Sequence, residues 1–341
     1  MILRISLPGA RPDQSPRPHP AYGDQINESG IPGVPGEGEA RVTYTTERVL
    51  LAGGEPVELR RPAFALQNLR FGAPQAPLQM SARVAPPVFG LGLLEAVDER
   101  TLRTLSQRPG MGAGRVNMVL DVRTGTLVTG RFGLKSNQPD LRQQTAGAAL
   151  GDMGITSALF PTENCTVAQV ECRNAPHGGL PELDARQLED LTVYMSLLPV
   201  PSRRGASSPD VVRGESLFDE FGCSQCHLPE TTTGDHPRFL QLSRQTIHPY
   251  TDLLLHDMGP DLADGRPDFA ASGTEWRTPP LWGIGLARVV NPRAGFLHDG
   301  RARTVQEAIL WHGGQAAPSR ESFRLAPFAD RSALLRFLES L

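Results

Sequence analysis

"FGCSQCHLPE", residues 221 to 230, is the stretch from which the organisation of the chain can be worked out. Two of the four cysteines, Cys223 and Cys226, stand three positions apart, and His227 follows directly. Two thiols at this spacing can reach the two vinyl groups on one edge of a haem, and the next histidine can bind the iron from the same side. The motif predicts one covalently attached haem c.

Three other interpretations of the two cysteines remain open: a zinc site, a redox dithiol and a chance pair. Zinc needs two further ligands, and the remaining cysteines, Cys165 and Cys172, lie in the first predicted domain with six residues between them. A thioredoxin-like dithiol stands where a strand meets a helix. Here a predicted helix precedes the motif and "LPETTTG" follows it, so the motif does not stand at a strand-to-helix junction.

Length and composition indicate a globular protein of at least two units. A chain of 341 residues exceeds the usual size of one core. A net charge of -3 without acidic or basic excess argues against a nucleic-acid partner. No apolar run reaches the ~18 residues of a transmembrane helix. The first residues lack the apolar core of a secretory signal, which by itself predicts a chain that is not exported.

The first part, residues 1–200, combines irregular segments with a few regular elements. Residues 1–40 are rich in Pro, Gly and polar residues and predict irregular structure. Strand-like alternation around glycine turns predicts hairpins over 41–62 and 117–133. Helices are expected over 98–107 and 184–198, the second with capping-box spacing at its start.

A linker over 199–210 separates this part from residues 201–341, for which we predict a class I cytochrome c-like domain. Helices are expected over 214–222, 304–312 and 330–341, with long loops between the first and the second. Helix, loops, helix, helix is the order of a small haem domain. The predicted fold class is therefore mainly α with β-hairpins and long loops.

A six-coordinate haem needs a second axial ligand, and helical geometry favours His312. It lies on the apolar side of its helix, four residues after Ala308, where an imidazole must find a partner or a metal. The alternatives in this domain are His236, His248, His256, His298 and Met258. Cys165 and Cys172 could form a disulfide if a loop brings them together. A disulfide and a covalent haem both favour an oxidising compartment. This expectation conflicts with the missing secretory signal, which predicts a chain that is not exported.

The chain resembles the di-haem oxidoreductase family of peroxidase-like proteins, also labelled predicted thiol oxidoreductases with CxxC motifs, over essentially its whole length. It is more distantly similar to bacterial di-haem cytochrome c peroxidases and MauG-like enzymes. The runs that carry the resemblance are "SARVAPPVFGLGLLEAV" (81–97), "GRFGLKSNQPDLRQQTAGAALGDMGITSALFP" (130–161), "GESLFDEFGCSQCHLP" (214–229), "PYTDLLLHDMGPDLAD" (249–264), "EWRTPPLWGIG" (275–285) and "FLHDGRARTVQEAILWHGG" (296–314).

The resemblance implies a haem-dependent oxidoreductase. Its C-terminal haem would take electrons from a redox partner protein and relay them to an N-terminal haem that reacts with hydrogen peroxide. In the more distant relatives the second ligand follows the HDG histidine by about one helix. That position is His312, fourteen after His298. We therefore expect ligation by His227 and His312, with Met258 as the alternative and His298 outside the ligand set.

Family members carry a second CxxCH motif upstream, and this sequence holds only one. The resemblance therefore implies that the second haem and a signal peptide lie upstream of Met1. Residues 1–200 would then be a partial N-terminal domain, and the location would be periplasmic. A mono-haem electron carrier is the alternative, and a zinc or thiol protein is a further one.

Residues 131–153 resemble the region that covers the peroxide-reacting haem in such enzymes. On that match Gln144 and Asp152 take the places of the Gln and Glu that orient and deprotonate peroxide. The chain departs from the pattern twice: Asp stands for Glu with altered spacing, and Leu134 replaces an aromatic residue. A capped surface helix with polar side chains is the alternative interpretation.

Overall fold

The computed structural model describes residues 1–74 and 76–341, which form short antiparallel sheets and helices. The strands are Ile2–Ser6 (β1), Gln25–Ile26 (β2), Glu39–Leu50 (β3), Pro56–Gln67 (β4), Gln79–Arg83 (β5), Met118–Asp121 (β6), Thr126–Thr129 (β7), Thr231–Thr232 (β8), Thr246–Ile247 (β9), Leu255–Asp257 (β10) and Glu275–Arg277 (β11). The α-helices are Leu91–Glu95 (α1), Glu99–Leu105 (α2), Leu141–Met153 (α3), Val170–Arg173 (α4), Ala185–Leu197 (α5), Pro209–Glu220 (α6), Ala287–Val290 (α7), Val305–Leu310 (α8), Ala317–Leu325 (α9) and Phe328–Ser340 (α10).

Both predicted hairpins form, as β3–β4 and β6–β7. The β3–β4 turn passes through Gly53 and Gly54, whose φ values are 87° and 80°. Glycine reaches this left-handed region without steric cost, and so the Gly-Gly break was informative. Residues 1–40 differ from the prediction, because β1 there pairs with β2 and with the distant β5. Pairing between strands so far apart in sequence has no local turn signal from which it could be predicted.

The predicted helices form with shifted ends. Helix α5 begins with the predicted capping box, in which Asp184 and Gln187 each bond the other's backbone N–H. Helix α6 begins at Pro209, inside the segment predicted as linker, because proline suits the first helical turn. Helix α10 begins at Phe328, two residues before the predicted start. Helices and small antiparallel sheets thus agree with the coarse fold class.

Two of the three apolar cores contain residues from both sides of the predicted linker. The first surrounds α6, α8 and α10 and also includes Leu51 and Leu59 of the first part. The second joins Leu94 and Leu141 to Ile247 and other residues of the second part. The third lies under β1 and β2. The domain boundary at residue 200 remains a prediction, since extensive packing crosses it.

The β3–β4 hairpin lies against the C-terminal helices. At its turn, the Ala52 N–H donates to the Arg324 carbonyl at 2.9 Å, and Arg331 bonds Glu55 at 2.7 Å. Along β4, the Arg61 guanidinium pairs with Asp261 at 2.8 Å. The hairpin therefore belongs structurally to the surroundings of α8, although it is distant in sequence.

Helices α6 and α10 cross where Gly214 stands. A Cβ at this position would collide with the Ala333 carbonyl oxygen and lie 2.6 Å from the Cβ of Phe337. Only a residue without a side chain allows the two backbones to approach this closely. The crossing fixes the direction in which α6 leads into the cysteine motif.

We expect Gly214→Ala to lower the free energy of unfolding by about 1–3 kcal/mol, because the helices must separate to admit the methyl group. Replacing glycine by alanine at an exposed helical position would instead stabilise the protein, because alanine has the higher helix propensity. The control is Ser216→Ala on the exposed face of α6, expected to change stability by less than about 0.5 kcal/mol. Urea unfolding measures both. Equal stability of Gly214→Ala and wild type would contradict the close crossing.

Candidate functional site

Helix α6 leads directly into the cysteine motif. It ends at Glu220, and Gly222 then adopts a left-handed φ of 79°. The chain continues through the single 3-10 turn Cys223–Gln225, after which the His227 N–H donates to the Cys223 carbonyl at 2.9 Å. Both cysteines and His227 therefore lie on one tight, half-buried turn.

The orientation of His227 is set by a backbone carbonyl. Its Nδ1 lies 2.9 Å from the carbonyl oxygen of Tyr250. Because a carbonyl can only accept, Nδ1 carries the proton and Nε2 keeps a free lone pair. Tyr250 has a left-handed φ of 53°, is 3% exposed and donates its hydroxyl to Glu215 at 3.1 Å. Packing thus holds an unfavourable backbone conformation that directs this carbonyl at His227.

His312 is held in the same way. It follows α8, and its Nδ1 lies 2.7 Å from the carbonyl oxygen of Ala308, one helical turn earlier. Nδ1 is again the donor, and the lone pair again lies on Nε2. The neighbouring Trp311 is 3% exposed, with the guanidinium carbons of Arg61 and Arg301 at 5.1 and 4.8 Å from its ring centre. These cation–π contacts fix the end of α8.

The imidazole rings of His227 and His312 face each other. Their centres are 6.5 Å apart and their planes differ by 46°. A metal ion binds an imidazole nitrogen at about 2 Å and the ring centre lies about 1 Å further, so one shared ion separates two ring centres by about 6 Å. The spacing therefore fits two axial ligands of a single haem iron.

Both imidazoles are neutral near pH 7. Burial, and then the positive charge of His312, lowers the pKa of His227 to about 4. Burial also lowers the pKa of His312. A histidine must be deprotonated at the ligating nitrogen before it can bind a metal. The burial that brings the rings together therefore also prepares them as ligands.

Aromatic and aliphatic side chains surround the pair. The Phe218 ring lies 6.4 Å from that of His227 and packs in the first core, against which Phe221 and Cys223 also lie. Leu253 and Trp282 belong to the second core instead. Apolar surroundings of this kind suit a haem, whose faces are hydrophobic.

From the sequence, His256 was considered only as an alternative iron ligand. In the structure, its side chain contacts Cys226 of the motif. Its Nδ1 lies 3.6 Å from the Cys226 sulfur, and its Nε2 lies 2.9 Å from Oδ2 of Asp252. Burial lowers the pKa of His256, but Asp252 and Cys226 outweigh burial and raise it to about 10. Burial raises the pKa of the Cys223 thiol to about 12. The sequence signal that could have indicated the Asp252–His256 contact is their i, i+4 spacing.

The alternative ligand, Met258, and the HDG histidine, His298, have other surroundings. Met258 is half-buried and packs against the first core. The His298 ring stacks on Trp276 with centres 3.7 Å apart and planes 11° from parallel. Burial lowers the pKa of His298 to about 4. His298 is thus built into the packing beside the site, and His312 is the histidine that faces His227.

Gln144 and Asp152 do not converge. Both lie on α3, eight residues or about 12 Å along the axis from each other. Gln144 has a buried Oε1 that lacks a hydrogen-bond partner among the described residues, whereas Asp152 is exposed and lies 3.9 Å from Arg4. A joint acid–base role for them remains a prediction.

Cys165 and Cys172 form a disulfide, as a loop would allow.

Within residues 1–74 and 76–341, no group of three or more His, Cys, Asp or Glu side chains is arranged to hold a metal ion. Haem iron differs from such sites, because four of its ligands are porphyrin nitrogens and the protein supplies at most two. None of the helices in these ranges has the length and apolar character needed to cross a bilayer.

Stability should depend on pH through His298. Its pKa is about 4 in the folded chain and about 6.5 in the unfolded chain. Between these values the unfolded chain binds more protons, so this contribution is complete above pH 6.5 and is lost as the pH falls towards 4. The slope is at most about 1.4 kcal/mol per pH unit.

We expect His298→Gln to flatten the pH dependence of the free energy of unfolding between pH 4.5 and 6.5, measured in urea. His248→Gln is the control, because the side chain of His248 is 62% exposed. Identical slopes for His298→Gln and wild type would contradict the burial of a neutral imidazole.

Comparison with known proteins identifies a family. Residues 14–341 match the family model described as "Di-haem oxidoreductase, putative peroxidase". No curated protein matches the chain. The match covers nearly the entire sequence, including the cysteine motif and both facing histidines. The chain therefore belongs to the di-haem oxidoreductase family.

Proposed function

We propose that residues 201–341 form a c-type cytochrome domain that transfers electrons within a peroxidase-type oxidoreductase. The observation that carries the proposal is the pair of neutral imidazoles at 6.5 Å, both with Nδ1 bonded to a backbone carbonyl. Cys223 and Cys226 would attach the haem, and His227 and His312 would be its axial ligands. The order of α6, the motif, loops, α8 and α10 supports a cytochrome c-like domain.

Haem, when bound, supplies one-electron redox chemistry. The protein contributes orientation: the Tyr250 and Ala308 carbonyls each bond an Nδ1 and leave the Nε2 lone pairs of His227 and His312 available to a metal. Hydrogen bonds to the outer nitrogen of a ligating histidine also tune its basicity. Phe218 and its neighbours exclude water. If His227 and His312 both hold the iron, the domain would serve electron transfer, and peroxide chemistry would take place at another site.

The remaining parts of the proposal follow from the family. A redox partner protein would donate electrons, and hydrogen peroxide would react at a second haem, for which this sequence has no further CxxCH motif. We propose a periplasmic or other extracytoplasmic location. The Cys165–Cys172 disulfide supports an oxidising compartment, in which covalent haem attachment also takes place.

One contact favours a second candidate, thiol chemistry at Cys226. Its sulfur lies 3.6 Å from His256, whose other nitrogen bonds Asp252. A histidine that bonds a carboxylate and contacts a thiol is the arrangement of a cysteine and its general base. The first candidate accounts for more of the geometry, because thiol chemistry gives no role to the facing rings of His227 and His312.

We expect His312→Ala to convert a low-spin haem spectrum into a high-spin one, because the iron loses an axial ligand while the cysteines still hold the haem. His248→Ala, at an exposed position, should leave the spectrum unchanged. Met258→Ala should also leave the haem low-spin. Optical absorption of the three purified ferric proteins makes the comparison.

A low-spin spectrum in His312→Ala would contradict the ligand assignment. A high-spin spectrum in Met258→Ala, with His312→Ala unchanged, would transfer the assignment to Met258. Loss of covalent haem from all three variants together with wild type would contradict the proposed function itself.

A further inference from the structure

Strand β3 has a single neighbour, β4, in the described part of the chain, so one of its edges is unpaired. At one end of this edge the Ala40 N–H points outward and donates to the Glu28 carboxylate at 2.7 Å. At the other end the Leu50 carbonyl points outward and accepts from Arg324 at 2.9 Å. Because backbone groups alternate in direction along an antiparallel strand, the even-numbered residues between these two also point outward. Within residues 1–74 and 76–341, the outward backbone groups of four residues lack a hydrogen-bond partner: Val42, Tyr44, Thr46 and Arg48.

The outer edge of β4 is protected against pairing, whereas that of β3 is not. The outward positions of β4, opposite the even-numbered residues of β3, include Pro56 and Pro62. Proline has no N–H with which to extend a sheet. At a third outward position of β4, the Glu58 carbonyl accepts from Arg303 at 2.7 Å. Residues 42–46 of β3 are "VTYTT", in which β-branched and aromatic side chains favour strand pairing and no proline prevents it.

The unpaired edge of β3 is accessible, and its charged side chains can bind a further partner. The Tyr44 side chain is 43% exposed. The Arg41 side chain is 59% exposed and bonds Glu39 at 2.7 Å, and that of Glu47 is 41% exposed and pairs with Arg61. A carboxylate has about four acceptor sites, so Glu47 can accept from a second guanidinium. Open edges of this kind are the surfaces that bind another strand.

The charge pattern along β3 favours a second copy of the same strand as that partner. In an antiparallel pair centred on Tyr44, Arg41 of each copy stands opposite Glu47 of the other. Opposite charges at directly paired positions stabilise a ladder, and like charges destabilise it. A pair centred one residue earlier would place Glu39 opposite Glu47, and one centred a residue later would place Arg41 opposite Val49. Charge complementarity therefore selects Tyr44 as the centre.

We propose that β3 pairs with β3 of a second copy, so that the two hairpins form one four-stranded antiparallel sheet. The two-fold axis passes beside Tyr44, and the same residues contribute from both copies, as in other isologous dimers. Residues 42–46 of the two copies exchange about six backbone hydrogen bonds. Glu28, which covers the Ala40 N–H, ends the ladder and stands near Arg48 of the second copy. The dimer is independent of the proposed haem function, because β3 carries none of the haem-site residues.

Sedimentation equilibrium of the full chain tests the dimer. It should show a monomer–dimer equilibrium with a Kd in the micromolar range, as expected of a small interface. Arg41→Glu should raise that Kd about tenfold, because each dimer then contains two pairs of like charges. Adding Glu47→Arg to Arg41→Glu should restore the affinity. Arg186→Glu is the matched control on α5, where the side chain is 91% exposed, and should leave the Kd unchanged.

A second measurement tests the register by oxidative cross-linking of Tyr44→Cys and Thr46→Cys. The two positions 44 would have their Cα atoms about 5.5 Å apart, which suits a disulfide. The two positions 46 would lie about 14 Å apart, because four residues separate them along the strands. Tyr44→Cys should therefore form a disulfide-linked dimer and Thr46→Cys should not. Both variants keep the same other cysteines, so background oxidation is equal.

Three results would each overturn the proposal: a monomer at about 100 μM, an Arg41→Glu affinity equal to that of Arg186→Glu, or equal cross-linking at positions 44 and 46. Residues 41, 44 and 46 are exposed, so these variants should fold. None of the readouts depends on haem. A failure here is therefore distinguishable from a failure of the proposed electron transfer.

Discussion

Two hydrogen bonds from imidazole to backbone carbonyl determine what the site can do. A free histidine exchanges between tautomers and rotates, whereas the carbonyls of Tyr250 and Ala308 each accept from one Nδ1 and leave Nε2 as the electron-pair donor. One carbonyl comes from a loop and the other from helix α8. The 6.5 Å separation of the two ring centres therefore depends on how the loop and the helix are packed together.

Much of the surrounding structure serves that packing. The close crossing of α6 and α10 at Gly214 sets the position of the cysteine motif, and Phe218 on α6 contacts Phe337 on α10 with ring centres 5.3 Å apart. On the other side, Arg61 from the β3–β4 hairpin reaches Trp311, the neighbour of His312. The first part of the chain thus packs against the residue next to His312, and truncating it would expose the end of α8.

Local signals predicted the parts of the structure that local physics controls. The capping box of α5 and the Gly-Gly hairpin turn each depend on residues a few positions apart, and each forms as expected. The juxtaposition of His227 and His312 could be predicted from the sequence because His312 occupies the apolar side of a helix. The resemblance to di-haem enzymes agreed with that choice.

Contacts between distant segments were not predictable in the same way. Nothing near β1 indicates its pairing with β5, and nothing near Arg61 indicates that it lies over Trp311. The contact of His256 with Cys226 likewise arises only in the folded chain. Helical geometry separates Gln144 and Asp152, eight residues apart on α3, by about 12 Å along the axis.

The central claim is that "FGCSQCHLPE" holds a covalent haem between His227 and His312. A pyridine haemochrome assay on acid-acetone-extracted protein, produced with a haem c maturation system, tests it most directly. The account predicts one c-type haem per copy of residues 1–341, retained through the extraction because the thioethers of Cys223 and Cys226 hold it. Protein that matures without retaining any haem would contradict the account and favour thiol chemistry at Cys226.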